Sequence, residues 1–147
     1  MRYQIEKFED FYKDGIDLFN LHWEEIARNK EEIKLNPDFE SYIQLDELGR
    51  LLVTTVRDGD ELVGYIINFI APHLHYKDWL MSDNDILFIH PQYRKKGVFS
   101  SLLKFTIDCL KERGVGVIHI HMKTKHDFGP LLEKFGFIEI ERNFELR

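Results

Sequence analysis

Residues 85–104 read DILFIHPQYRKKGVFSSLLK, and this stretch decides the fold. The apolar run 85–90 predicts a strand that stops at Pro91, because proline cannot donate to a sheet ladder. Residues 92–97, QYRKKG, form a basic turn. Residues 98–113 predict a helix with Leu102, Leu103, Thr106, Ile107 and Leu110 on one face and Gly114 as its C-cap. A strand feeding a basic, Gly-containing turn that opens a helix is a ready anion pocket. Turn amides converge there, and the helix N-terminus adds roughly half a positive charge. Phosphate or pyrophosphate suits such a pocket. The stretch contains neither GxxxxGK[ST] nor GxGxxG, so neither a Walker-type nor a dinucleotide motif accounts for it.

Working outward, Asp58-Gly59-Asp60 predicts a hairpin turn between strands 50–57 and 61–70, because Gly accepts positive φ. PHLHYKDW, 72–79, reads as a polar-aromatic loop. On the N-terminal side the alternation of 2–8 predicts an edge strand. Phe11, Ile16, Phe19, Trp23 and Ile26 have helical spacing and predict a helix from Asp10 to about Lys30. A second helical piece falls within 31–47, broken at Asn36-Pro37. On the C-terminal side, 115–122 predicts a strand, Pro130 opens a short helix that Gly136 closes, and 137–146 predicts a last strand. The order β-α-α-β-β-β-α-β-α-β predicts a mixed α/β sheet in one domain, 1–147.

The chain has 147 residues, 44% hydrophobic and 31% charged, an ordinary globular composition. One cysteine, Cys109, excludes an internal disulfide framework and any CxxC motif. A lone thiol fits a reducing, cytoplasmic address. No apolar run reaches the roughly 20 residues of a membrane span, and the N-terminus lacks a signal-type apolar region. Net charge is −6, unevenly spread: residues 1–80 hold nine Lys/Arg against seventeen Asp/Glu, whereas 92–125 hold eight against two. That pattern argues for a local anion site rather than general nucleic-acid binding.

Arg94-Lys95-Lys96-Gly97-Val98-Phe99 resembles the [R/Q]xxGx[G/A] signature of the Gcn5-related N-acetyltransferases. DGDELVGYIINFI ahead of it and HDFGPLLEKFGFIEIERNFEL after it match the same family in the same order. The combination also resembles a phage and prophage group within that family. The resemblance implies a sheet splayed at the motif strand, with acetyl-CoA in the opening and no resident metal. Backbone amides of Lys95, Lys96, Gly97, Val98, Phe99 and Ser100, with Arg94, would hold the pyrophosphate. Phe88, Ile89 and His90 would pair with the pantetheine arm. It implies direct attack of a primary amine in a ternary complex, and a homodimer formed through an edge such as 137–146. Two positions depart from the family pattern: Phe99 stands for the second small residue, and Leu132 stands where a general-acid Tyr is frequent.

Amine acetylation needs a base for the ammonium proton. Asp83 and Asp85, two apart at the start of the motif strand, share a face and are candidates. His121 is a third, since imidazole titrates near neutrality, with His119 beside it as a substrate contact. Trp23 with His22, and His73, His75 and Tyr76 of the 72–79 loop, are candidate acceptor contacts. The HxH spacings at 73–75 and 119–121 also admit a metal, which acetyl transfer does not need. The acidic first half suggests a cationic acceptor such as a polyamine, an aminoglycoside or lysine. Two alternatives stand beside acetyl transfer: a non-catalytic CoA-binding or interaction module, motivated by Phe99 and Leu132, and a nucleic-acid modifier.

Overall fold

A computed structural model describes residues 1–147. The elements run β1 (Arg2–Glu6), α1 (Phe8–Ile26), α2 (Phe39–Glu47), β2 (Leu51–Asp58), β3 (Glu61–His73), β4 (Tyr76–Ile89), α3 (Val98–Glu112), β5 (Val117–His119) and α4 (Gly129–Lys134). The five strands lie in sequence order. All neighbours are antiparallel except β4 and β5, which are parallel and joined through α3. This is the expected mixed sheet with helices on both faces.

The two faces follow from strand alternation. Leu51, Val53, Tyr65, Ile67 and Phe88 pack under Phe8, Phe11, Leu18 and Phe19 of α1. Val56, Val63, Ile66 and Ile89 pack against Val98, Leu102 and Leu103 of α3. Each such side chain contributes about 1.5–3 kcal/mol of transfer free energy. β2 is buried on both faces from Leu51 to Arg57, so its sequence reads as a run rather than an alternation.

The α1 N-terminus is held from outside: the Phe8 N–H donates to Asp46 Oδ2 of α2 at 2.8 Å. With this contact the helix starts at Phe8, two residues before the expected Asp10, and it ends at Ile26 rather than near Lys30. Asp38 caps α2 by accepting from the Ser41 N–H at 3.1 Å, so the second helix begins just after Pro37. The Asp58-Gly59 turn forms as expected, with Gly59 at φ 60°.

Two expectations fail. Residues 72–79 are not a loop: β3 and β4 continue as a hairpin whose turn is Leu74-His75. The sheet accommodates Pro72 at a register shift between Pro72 and His73. Residues 137–146 form no strand, although Ile138, Ile140, Phe144 and Leu146 alternate and are exposed. The neighbouring strand β5 pairs over three residues only, too short to template another. The free sheet edges are therefore β1 and β5, and 137–146 supplies none for a homodimer.

Arg57 is the most buried charge and ties β1, β2 and α1 together. Its Nε and Nη2 donate to the two oxygens of Glu6 at 2.7 and 2.9 Å, and Nη1 donates to the Asp60 carbonyl at 2.8 Å. Burial pushes the Glu6 carboxyl up, but hydrogen bonds from Arg57, Thr55 and Gln4 outweigh it and hold the carboxyl below its usual 4.5. Its contribution is therefore present above that value and lost as pH falls through the lowered one. Glu6→Ala strands the Arg57 guanidinium and should cost about 3 kcal/mol, read as a lower urea midpoint with unchanged slope.

Candidate functional site: a splayed strand pair and an open amide turn

β4 and β5 pair only from Met81–Asp83 to Val117–His119. Beyond them the Asn84 side chain takes over from the ladder. Its Nδ2 donates to the His121 carbonyl at 3.2 Å, and its Oδ1 accepts from the His121 N–H. A side chain is longer than a direct backbone bond, so the strands are held apart there and the splay opens. Nothing in the sequence marks Asn84 for this role except its place two residues before the apolar core of the strand.

Past Asn84 the β4 edge facing β5 is unpaired, and alternation decides which groups it presents. The His90 N–H donates to Val63 of β3 at 2.8 Å. The Ile89 carbonyl accepts from Arg94 Nε at 2.9 Å on the opposite side. Groups of the same parity as Ile89 therefore face the splay: the Ile89 N–H and both backbone groups of Leu87. This corrects the sequence assignment. Phe88 and His90 turn their backbone toward β3, Ile89 offers only its N–H, and Leu87 was missed. The parity depends on the register shift that leaves Asp85 without a partner between Asn84 and Ile86.

At the end of β4, Pro91–Tyr93 forms one 3-10 turn, and Lys95 and Gly97 adopt positive φ of 63° and 73°. None of the amides from Lys95 to Ser100 donates to a backbone carbonyl, and the α3 ladder starts with Ser101 donating to Gly97 at 3.0 Å. A Cβ built at Gly97 meets nothing within 4 Å, so the cradle is open. The Phe99 ring leaves it free by packing edge-on against Phe128, centroids 5.2 Å apart. Val98, the first residue of α3, is buried. Lys96 Nζ lies 5.6 Å over the Tyr93 ring. The six amides and the αL glycine fit a pyrophosphate. Arg94 does not join them: its Nη2 donates to Glu25 of α1 at 2.8 Å and its guanidinium lies over Phe88, so it straps the turn to α1 and β4. That contact holds the Glu25 carboxyl below its usual range.

At the closed end of the splay, Asp83 Oδ1 lies 3.0 Å from His119 Nδ1 and 3.3 Å from His121 Nε2. With both rings donating, His121 keeps Nδ1 and His119 keeps Nε2 as free acceptors. His121 is the more exposed of the two. Asp85 is drawn elsewhere. It lies on the same face, but its carboxylate accepts from the Tyr42 hydroxyl of α2, and burial pushes its pKa up. The predicted pair of carboxylates thus splits into one at the histidines and one serving α2. Leu132, at the family's Tyr position, is core beneath α3.

His73, His75 and Tyr76 cluster with one another at the β3–β4 turn, His73 and Tyr76 stacking at 5.1 Å. Tyr76 lies seven residue steps before Asp83 along β4, roughly 23 Å. They do not reach the splay. No group of three or more His, Cys, Asp or Glu side chains is arranged for a metal ion.

Trp23 lies on α1, facing β4 across a cavity. With Phe19, His22, Ile26, Ala27, Leu35, Ile86 and Lys123 it lines a half-open cavity of about 170 Å³. His22 stacks on Phe88 at 4.5 Å, and its Nδ1 lies 2.6 Å from the Tyr65 hydroxyl. Burial lowers its pKa from 6.5 to about 4, with Arg94, His126 and Lys123 adding to the effect and Glu25 opposing it. His22 is therefore neutral at pH 7. Unfolded chains take up its proton below pH 6.5, so stability is full above that pH. It falls by up to roughly 3 kcal/mol as pH drops toward 4. In His22→Phe, which keeps the stack, that slope in a pH series of urea midpoints should vanish.

A family model for the acetyltransferase (GNAT) family matches residues 15–137. The HTH-type transcriptional repressor OpcR of Bacillus subtilis (strain 168) is 29% identical over 80 residues, 53% of this chain and 38% of that protein. The chain thus spans well under half the length of that curated relative. The crystal structure of ribosomal-protein-alanine N-acetyltransferase from Brucella melitensis biovar Abortus 2308 matches with a TM-score of 0.72 at 18% identity, covering 100% of this chain and 99% of that one. A predicted acetyltransferase with acetyl-CoA from Clostridium acetobutylicum matches with a TM-score of 0.68 at 16% identity, covering 99% and 95%. At these identities the two structures speak for the fold. The family model covers most of the chain, and its match includes both the splay and the open turn: the chain belongs to the acetyltransferase (GNAT) family.

Proposed function

We propose that the protein transfers an acetyl group from acetyl-CoA to a primary amine, with both substrates bound together. The observation that carries this reading is the alignment of three features along β4: the open amides of 95–100, the splay edge at Leu87 and Ile89, and the Asp83–His119–His121 cluster. The amide turn holds the pyrophosphate, and the splay edge pairs with the pantetheine arm. Bound acetyl-CoA supplies the acetyl group as a thioester. The Leu87 N–H donates to the thioester oxygen as negative charge develops there. His121 Nδ1 takes one proton from the amine as the new N–C bond forms and the C–S bond breaks. It returns that proton to the leaving sulfur through water. Asp83 fixes the ring that does this and supports its charge.

Net charge of −6 supports a small or protein-borne amine over nucleic acid, whose phosphates require neutralising cations. The packing of Phe99 against Phe128 removes one reason to read the chain as a non-catalytic module. A single, buried cysteine, Cys109, suits a reducing compartment such as the cytoplasm. The test is release of free CoA thiol with a panel of amines. Amine-dependent release is expected. Micromolar acetyl-CoA binding with no release to any amine would make the chain a binding module instead.

A further inference from the structure

The cavity between α1 and β4 has one chemical character. Six of its eight lining residues are apolar: Phe19, Trp23, Ile26, Ala27, Leu35 and Ile86. Its volume of about 170 Å³ compares with the roughly 150 Å³ of an apolar cavity that accepts benzene. Ile86 is the neighbour of Leu87, so the cavity adjoins the splay edge.

The other two lining residues, His22 and Lys123, are donors. Tyr65 is fully buried and its hydroxyl has no partner but His22 Nδ1, so that hydroxyl donates and the ring proton sits on Nε2. Asn68 Oδ1 is the only fully buried side-chain polar atom without a partner. His22 Nε2 has no protein partner either, so it reaches open space, and the cavity is the space His22 lines. Lys123 is the second donor. No carboxylate lines the cavity.

We infer that the acceptor amine carries one apolar, ring-sized group seated in this cavity and, next to its amine, a carboxylate or carbonyl oxygen held by His22 and Lys123. The class is that of an aromatic or large aliphatic amino acid or its derivative, not the polycation that the acidic first half suggests. This rests on the acetyl-transfer reading. A polyamine would bring like charge to Lys123 and leave the apolar walls unused.

Binding of phenylalanine, 2-phenylethylamine and spermidine by calorimetry tests it, on wild type, Ala27→Leu and Lys123→Glu. Phenylalanine should bind at least tenfold tighter than spermidine. Ala27→Leu fills the cavity and should weaken both aromatic amines at least tenfold while acetyl-CoA affinity stays put. Lys123→Glu should weaken phenylalanine but not 2-phenylethylamine. Tighter binding of spermidine, no aromatic binding, or aromatic binding indifferent to both substitutions overturns the inference. Aromatic amines that bind in this pattern yet release no CoA thiol would leave the cavity assignment standing and sink acetyl transfer. Thiol release to spermidine with no aromatic binding would do the reverse.

Discussion

Gly97→Asp is expected to weaken acetyl-CoA binding by at least about 100-fold, equivalent to about 2.7 kcal/mol. Gly97 sits at φ 73° as the residue before α3. A β-carbon there meets no atom of the protein, so the cost is not a clash within the fold. It comes from two other sources. The αL conformation is uncomfortable for most side chains. An aspartate also places negative charge among six amides, Lys95 to Ser100, that have no backbone partner and would hold the pyrophosphate in the proposed reading. Gly97→Asn separates these causes, because asparagine tolerates αL and is neutral. Calorimetry should show Asn binding within a few fold of wild type and Asp scarcely binding. Equal losses in both would mean that strain, not charge, governs the turn.

His121→Ala should lower kcat by about 10²–10⁴-fold, the usual range for a lost general base. Asp83→Asn should lower kcat with little change in the KM for acetyl-CoA, because Asp83 acts by holding His121 and His119. If the pair works as a unit, the double variant should be no slower than the slower single one. Additive losses would mean that the two carboxylate–imidazole contacts are structural and that the proton leaves by another route.

Most of the fold was legible because local rules and packing agreed. Asp58-Gly59 demands a tight turn, and the chain makes one. The 3.6-residue spacing of Leu102, Leu103, Thr106 and Leu110 predicts the buried face of α3, and those residues are buried. The failures came where a partner decides. Residues 137–146 alternate as a strand should, but alternation needs an edge to pair with, and β5 offers three residues. Residues 72–79 read as a loop, yet the hairpin continues through them and a register shift accommodates Pro72.

The site divides in the same way. The amide turn was readable because Gly97 and the helix start are local. Asp83 and Asp85 were indistinguishable in sequence, and only the positions of Tyr42 and His119 separate their roles. Leu87 and Asn84 were invisible. One depends on strand parity after an unpaired Asp85, the other on where a parallel partner stops. Arg94 looked like a phosphate ligand and is engaged by Glu25.

The most direct test of the account is an amide NMR titration with acetyl-CoA. Saturable shifts and slowed exchange are expected at the amides of Lys95, Lys96, Gly97, Val98, Phe99 and Ser100, and at those of Leu87 and Ile89. Acetyl-CoA that leaves these eight amides unmoved, whether by not binding or by binding elsewhere, would contradict it.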